Sequence, residues 1–288
     1  MRVGLVKHFQ DVQSVSCIKQ NFINCNRVVK FFFTMKHYQN ANGFEQSSHV
    51  MIVEMFHRFN QRSYKLERLD TGDYTPEEYA KWQDEMKLIN RFLGDTRALR
   101  YSLIADVKRE GKEKFSVLDV GAGSGELLRD VANWTRANNK RARLVGIELN
   151  ERAAKSIQNS DDDEVLAVQC DALRLPFADD SFDYAISSLF AHHLKDEQVV
   201  NVLKEMSRVA RARIFVIDLH RHPLAYYLYK MFGKLFLQDF TIEDGSLSIL
   251  RSFQPEELKS LAEKADLKDV KVERHLAFRL VLSGRKFS

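Results

Sequence analysis

Asp119 stands two residues before the first of three alternating glycines, in the run Val117-Leu118-Asp119-Val120-Gly121-Ala122-Gly123-Ser124-Gly125-Glu126. A carboxylate at that place attracts a cation. A glycine turn lets a ligand approach the main chain closely, because no Cβ stands in the way. The chemistry suggested is the binding of a nucleotide-type cofactor that carries positive charge. A pyrophosphate suits the stretch less well. The dinucleotide fingerprint Gly-x-Gly-x-x-Gly needs its third glycine where Glu126 stands, and a carboxylate there repels phosphate. A glycine turn that binds nothing is the other reading of the same residues.

The elements that must position this loop follow from the pattern around it. Phe115–Val120 is a short, mostly apolar run, as expected of a strand buried in a parallel sheet. Glu126 to Arg136 reads as a helix, with Leu127, Leu128, Val131, Ala132 and Trp134 on one apolar face. Arg143–Ile147 is a second strand, ending in Glu148. An acid at that end can accept hydrogen bonds from ribose hydroxyls; equally, it can belong to the start of the helix opened by Asn150 and Glu151. Val165–Gln169 is a third strand and Tyr184–Leu189 a fourth, which runs on through Phe190-Ala191-His192-His193-Leu194. Ligands of open parallel sheets sit beyond the carboxyl ends of the strands. His192 and His193 are therefore candidates for a general base, imidazole titrating near neutrality; helix capping or packing is the alternative. Asp196–Val209 reads as a helix that buries Val199, Val200, Leu203, Met206 and Val209. A fifth strand, Arg213–Leu219, brings Asp218 and His220 to the same end of the sheet as substrate contacts.

The pattern Asp-x-Gly-x-Gly-x-Gly resembles the first motif of class I S-adenosylmethionine-dependent methyltransferases. Leu175-Pro176-Phe177-Ala178-Asp179-Asp180-Ser181-Phe182-Asp183 resembles a second run of the small-molecule members, and it falls at the matching distance. The resemblance is continuous from about residue 97 to the end. Within the family it is nearest the ubiquinone-biosynthesis type, some of which lie beside polyketide synthases in bacterial operons. Arg68–Thr96, including Ile89-Asn90-Arg91-Phe92-Leu93-Gly94, looks like that subgroup too. The resemblance implies S-adenosylmethionine as cofactor. Asp119 then lies near the methionine ammonium and Gly121, Ala122, Gly123 and Gly125 beneath the cofactor. Glu148 and Leu149 fall at the ribose, Asp171 and Ala172 at the adenine, and Ser187 at the end of the fourth strand. The catalytic candidates are His192, His193 and Asp218. The implied fold is an α/β, Rossmann-like, seven-stranded, mostly parallel sheet. It ends in an antiparallel hairpin (Val270–Glu273 with Ala277–Leu282) and carries an N-terminal helical cap.

The reaction implied is displacement at the sulfonium methyl by a hydroxyl or acidic carbon of an apolar phenolic, quinol or polyketide-like small molecule. Positioning can supply much of the acceleration. A cofactor-binding module without activity and a nicotinamide oxidoreductase are the rivals. Base-modifying enzymes carry Asn/Asp-Pro-Pro-aromatic after the fourth strand, where this chain has Ser-Ser-Leu-Phe, and no Pro-Cys pair exists to attack a pyrimidine. Nucleic acid is therefore not an expected substrate. The Asp and Asp-Asn pairing of magnesium-dependent catechol-type enzymes is missing as well, and no metal is expected.

Composition sets outer bounds. The 288 residues suit one large domain or two small ones. Three cysteines (Cys17, Cys25, Cys170) make no disulfide framework, so a reducing, cytoplasmic compartment is expected. No run approaches the length of a membrane span, so stable membrane insertion is not expected. Residues 1–50 hold six Lys/Arg against Asp11 and Glu45, which is the whole of the +4 formal charge. That stretch reads as an atypical basic extension, with a functional start at Met51 or Met55. Residues 51–111 read as the helical cap. It includes a helix begun by Thr75-Pro76-Glu77-Glu78 with Trp82, Met86, Ile89 and Leu93 on one face, and a second from about Thr96 to Arg109. Residues 112–288 read as the catalytic domain. Within it, 223–245 is an aromatic helical insert, read as lid and substrate wall, as core packing, or as a membrane-surface contact. The residues do not fix the oligomeric state.

Overall fold

The computed structural model describes residues 57–158 and 164–286. The expectations for residues 1–50 and for a start at Met51 or Met55 lie outside the described residues. Residues 62–67 carry no helix, although a helical cap was expected from residue 51 onward. Ser63 N donates instead to Leu250 O at 2.9 Å, and side chains of the run make the tertiary contacts described below. The short helix α1 (Arg68–Thr71) follows, then α2 (Pro76–Leu93). The start of α2 is fixed by a capping box: the Thr75 hydroxyl accepts from Glu78 N, and the Glu78 carboxylate accepts from Thr75 N. Gly94 ends it in the left-handed conformation.

The second expected helix is continuous in direction but not in type. It comprises α3 (Asp95–Leu99), a π-helical stretch over Arg100–Ile104, and α4 (Ala105–Arg109). The Ser102 hydroxyl donates back to Ala98 O at 2.7 Å inside this stretch. Then come β1 (Lys114–Val120), α5 (Glu126–Ala137), β2 (Arg141–Glu148), α6 (Glu151–Gln158), β3 (Val165–Gln169), β4 (Phe182–Ser188), α7 (Asp196–Val209) and β5 (Ala210–Leu219). The chain closes with α8 (Pro223–Phe236), α9 (Asp239–Arg251), α10 (Pro255–Lys264), β6 (Lys268–His275) and β7 (Arg279–Arg285).

The seven strands form one sheet in the order β3-β2-β1-β4-β5-β7-β6. The first five are parallel; β7 runs antiparallel to both β5 and β6. The order reverses between β1 and β4, the switch point where α/β sheets open a crevice for ligands. Successive residues of β1 point to opposite faces. Val117 joins Leu144, Tyr184, Ile186 and Phe215 beneath Leu99 of α3 and Leu128 and Val131 of α5. Leu118 and Val120 join Val145, Ile147, Ala185 and Val216 beneath Leu203 and Met206 of α7 and Leu258 of α10. A sheet covered on both faces explains why β1 is buried at six consecutive positions rather than at alternate ones. The buried face of α7 is Val199, Val202, Leu203, Met206 and Val209. Val200, expected there, is only half-buried at its edge.

Candidate functional site

The glycine loop is built by short contacts between neighbouring strand ends. Gly121 N and Ala122 N both donate to Ile147 O, at 3.1 and 2.9 Å, and Gly125 N donates to Ala122 O at 2.8 Å. Gly121, Gly123 and Gly125 all have positive φ, between 54° and 80°. At Gly121 a side chain has no room as well as the wrong backbone. A Cβ there would lie 2.5 Å from Cγ of Phe190, whose ring packs directly on the loop. Gly146 on β2 plays the complementary part: a Cβ would meet Ala122 Cβ at 2.9 Å. The loop can therefore fold down onto β2 only because β2 has a glycine beneath it.

Asp119 is 2% exposed, and its Oδ1 is a buried oxygen with no hydrogen-bond partner. Burial, reinforced by the nearby Glu148 carboxylate, pushes its carboxyl up to about 7. A buried acceptor left without a donor is costly unless something fills the need. An ammonium group does so, and this orphaned oxygen is the observation that makes the residues present fit S-adenosylmethionine.

Glu148 is engaged from both sides. Its Oε2 accepts from Gly123 N at 3.0 Å, and its Oε1 from Leu149 N at 3.0 Å and Asn150 N at 3.3 Å. It thus staples the loop to the end of β2, a role that the sequence did not suggest. Oε1 is filled by its two donors, whereas Oε2, with one, keeps acceptor capacity for a ribose hydroxyl. The competing idea, an acid serving the start of α6, is taken over by Asn150, whose Oδ1 accepts from Arg152 N and Ala153 N. Leu149 is exposed. Asp171 is exposed with Oδ1 accepting from Leu173 N at 2.9 Å, and Ala172 is buried in the core. Ser187 is buried, its hydroxyl donating to Val120 O at 2.8 Å, so it fixes the end of β1 against β4.

Three aromatic rings from the cap and one from α9 form a stack: Tyr74 on Tyr79 at 5.3 Å, Tyr79 on Trp82 at 5.7 Å, and Tyr74 on Phe240 of α9 at 5.5 Å. Tyr79 is within electrostatic reach of Arg152 and Glu148, and burial raises its hydroxyl pKa. Trp82 was expected only as one residue of an apolar stripe.

Beyond β4 the structure brings His192 and Asp218 together. His192 Nδ1 is 2.7 Å from Asp218 Oδ1, while Asp218 Oδ2 accepts from His192 N and Oδ1 from Leu219 N. Both side chains are buried. Burial pushes the Asp218 carboxyl up, but His192 and the hydrogen bonds outweigh this and hold it below the usual range. An ionised Asp218 only accepts, so His192 donates to it from Nδ1–H.

His193 turns elsewhere, with Nδ1 3.2 Å from Asp70 Oδ1, and the two imidazoles have centroids 4.3 Å apart. His220, also a candidate, pairs with Gln254 Oε1 at 3.2 Å and is bridged in the backbone to Phe253. Its burial lowers the imidazole pKa.

Two buried arginines hold the 192–194 backbone. Arg251 donates to His193 O at 2.8 Å and His192 O at 3.3 Å, and pairs with Asp70 and with Glu67 at 3.3 Å. Arg62 donates to Leu194 O at 3.1 Å and to Arg251 O at 2.8 Å, and pairs with Asp196. Burial raises the Glu67 carboxyl pKa, against the pull of His193 and Arg251. At Asp70 burial acts the same way, but His193 and Arg251 prevail and hold the carboxyl well below its usual range. Asp244 of α9 accepts from Arg68 N and Leu69 N, both at 2.9 Å, and so caps α1. These contacts are what fixes the helix-free segment 62–67. Glu67, Asp70, Arg62 and Arg251 were not singled out in the sequence.

Glu67, His192 and His193 each bring one ligand atom to within 4.8 Å of the others, a grouping that the expectation of no metal did not foresee. The Arg251 guanidinium already sits between Glu67 and Asp70 and answers the charge of both. Separately, a cavity of about 800 Å³ lies between residues 57–65 and helices α8 and α9, lined among others by Arg58, Lys65, Tyr226, Lys230 and Leu247.

Residues 117–213 match the family described as a methyltransferase domain. The demethylmenaquinone methyltransferase of Bacillus subtilis is 27% identical over 181 residues, covering 56% of this chain and 74% of the relative. The enzyme of the same name from Bacillus cereus is 29% identical over 186 residues, covering 56% and 77%. A Thermotoga maritima structure described as an S-adenosylmethionine-dependent methyltransferase, possibly acting on histamine, aligns with a TM-score of 0.51 at 20% identity. It covers 82% of this chain and all of that one, which supports the fold alone. The matched segment runs from the strand that carries Asp119 to the start of the strand that carries Asp218. Residues 117–213 are thus a methyltransferase domain, in a chain similar to demethylmenaquinone methyltransferases and folded like S-adenosylmethionine-dependent ones.

Proposed function

We propose that the enzyme methylates a hydroxyl or an acidic carbon of an apolar phenolic, quinol or polyketide-like small molecule. The observation that carries this is the buried His192–Asp218 pair at the carboxyl ends of the adjacent strands β4 and β5. It lies two residues from Phe190, whose ring rests on the cofactor loop. An imidazole fixed in one tautomer by a carboxylate is suited to take a proton from a hydroxyl or an enolic carbon. When bound, S-adenosylmethionine supplies an activated methyl with its leaving group attached. Asp119 and Glu148 then hold the cofactor's ammonium and ribose ends, Gly121, Ala122, Gly123 and Gly125 support it from below, and Asp171 and Ala172 border the adenine. Leu149 and Ser187 complete the rim. His192 accepts the acceptor's proton at Nε2 while Asp218 stabilises the imidazolium; His193, tied to Asp70, positions its neighbour.

The relatives' printed name points to a quinone-related acceptor, and Phe240, stacked with Tyr74, offers an apolar wall from the 223–245 insert. We further propose 51–111 as cap, 112–288 as catalytic domain and the cytoplasm as compartment, the last supported by three cysteines in the whole chain. Among the described residues no helix is long and apolar enough to cross a membrane.

The test is methyl transfer from S-adenosylmethionine to a panel of phenols, quinols and enolic pyrones, with His192→Gln and Asp218→Asn beside the parent. With an accepted substrate, kcat is expected to fall by about 10²–10⁴ in His192→Gln. S-adenosylhomocysteine affinity should stay within about threefold. Full turnover by His192→Gln would remove the base assignment, and transfer confined to amines would remove the acceptor class.

A further inference from the structure

The inner face of α8 is fully accounted for. Tyr226 packs with Phe59 and Ile249, Gly233 meets Ile242 of α9, and the Tyr229 hydroxyl donates to Thr241 O at 2.8 Å. The outer face is not. Leu224, Met231, Phe232, Leu235 and Phe236 are all exposed, and they supply five of the twelve large exposed apolar side chains among the described residues. Exposure rises along the helix, from 49% at Leu224 to 75% at Phe236. With half-buried Leu228, positions 224, 228, 231 and 235 follow the i, i+4, i+7, i+11 spacing of a single stripe, and 232 and 236 widen it. Exposed apolar residues scattered singly need no explanation; a contiguous stripe on one helix does.

The charges beside the stripe say what covers it. α8 contains no Asp or Glu, and its only charged residues, Lys230 and Lys234, lie together on one flank of the stripe. Arg58 adds a third cation there: its guanidinium and the Lys230 ammonium lie 5.8 and 5.4 Å from the Tyr226 ring centroid. Asp239 and Glu243, the nearest acids of α9, border the adjoining cavity. A second copy of this face would bring lysine-bearing flanks together without an acid on either helix to meet them, and a two-fold interface must be complementary to itself. An anionic lipid surface meets both features at once: acyl chains take the apolar stripe and headgroups take the cations.

We propose that α8 is an interfacial helix that docks the enzyme on anionic membranes, with Phe232, Leu235 and Phe236 entering most deeply and Lys230 and Lys234 at headgroup level. The proposal is independent of the acceptor assigned above.

It is tested by sedimenting the full chain with vesicles of phosphatidylcholine containing about one-third phosphatidylglycerol, and with phosphatidylcholine alone. The parent is expected to sediment with the first and weakly with the second, binding less as salt rises. Phe232→Ser/Leu235→Ser/Phe236→Ser should weaken association by at least about tenfold. Lys230→Gln/Lys234→Gln should erase the preference for anionic vesicles. S-adenosylhomocysteine titration of each variant verifies that it is folded. A parent that stays in the supernatant with anionic vesicles, or a folded triple-serine variant that sediments like the parent, overturns the proposal. So does a parent dimer that the serine substitutions split while neither protein sediments.

Discussion

The two halves of the site are built by different means. The cofactor half is made of main chain and of neighbours close in sequence or register. Gly121 and Ala122 bond Ile147 O, Glu148 bonds Gly123 N, and Gly146 makes room beneath Ala122. The acceptor half is made of side chains drawn from distant segments: Arg62, Glu67 and Asp70 before the sheet, His192 and His193 after β4, Asp218 at the end of β5, Arg251 in α9. The first can be rearranged only by changing the backbone. The second is a set of charges held by one another, so it should fail through loss of single side chains.

The sharpest way to break the comparison is to remove Arg251. Its guanidinium is buried, pairs with Glu67 and Asp70, and fixes the carbonyls of His192 and His193. Arg251→Ala leaves two partly or fully buried carboxylates without their cation. Breaking such a pair from one side costs on the order of 3–5 kcal/mol. Denaturant unfolding should show a loss of that size, while S-adenosylhomocysteine affinity of the folded fraction stays near the parent's. Loss of cofactor affinity in step with stability would mean that the halves are not separable.

The same contrast explains what was legible beforehand. The sequence reading of β3 and α7 has the bounds they have, and the seven-stranded, mostly parallel sheet with its antiparallel ending follows from the family pattern. The glycine loop was legible because its elements are adjacent along the chain and its residue types are nearly obligatory. Arg62, Glu67, Asp70 and Arg251 were not, because nothing local distinguishes a surface ion from one that meets its partner more than a hundred residues away. The helix-free run 62–67 is not legible for the same reason: Ser63 N and the side chains of Arg62 and Glu67 find their partners in α9 and at the 192–194 turn. The histidine pair was seen, but not that one imidazole faces Asp218 and the other Asp70.

A smaller effect is expected in the cofactor half from Glu148→Ala. It removes the acceptor of Gly123 N and the proposed ribose contacts together. Charge-assisted hydrogen bonds contribute about 1.5–3 kcal/mol each, so S-adenosylhomocysteine affinity should fall by roughly 10–150-fold by calorimetry. Glu148→Gln sharpens the reading. An amide keeps one acceptor oxygen, and if it holds the loop but not the ribose it should fall between the parent and the alanine variant. Equal affinity in all three proteins would leave Glu148 as a loop staple only.

The smallest effect is a pH dependence at Asp119, and its sign follows from the direction of the shift. Burial, then Glu148, raises this carboxyl to about 7, above its value in the unfolded chain. The folded protein without cofactor therefore holds a proton that the unfolded chain gives up. Asp119 contributes stability that is full below the unfolded pKa and is lost as pH rises through about 7. Binding of an ammonium favours the ionised form, so cofactor affinity should run the other way. It should be near its plateau at about pH 8 and roughly tenfold lower at about pH 6, each pKa unit being worth about 1.4 kcal/mol. Titrations with S-adenosylhomocysteine in buffers of different ionisation enthalpy should register proton release near pH 6. Asp119→Asn should bind more weakly at every pH, with this slope removed, and its cofactor-free form should lose less stability than the parent between pH 5 and 8. A parent affinity that does not change across that range would mean that Asp119 is already ionised in the empty site, and that its buried oxygen answers to something other than the cofactor's charge.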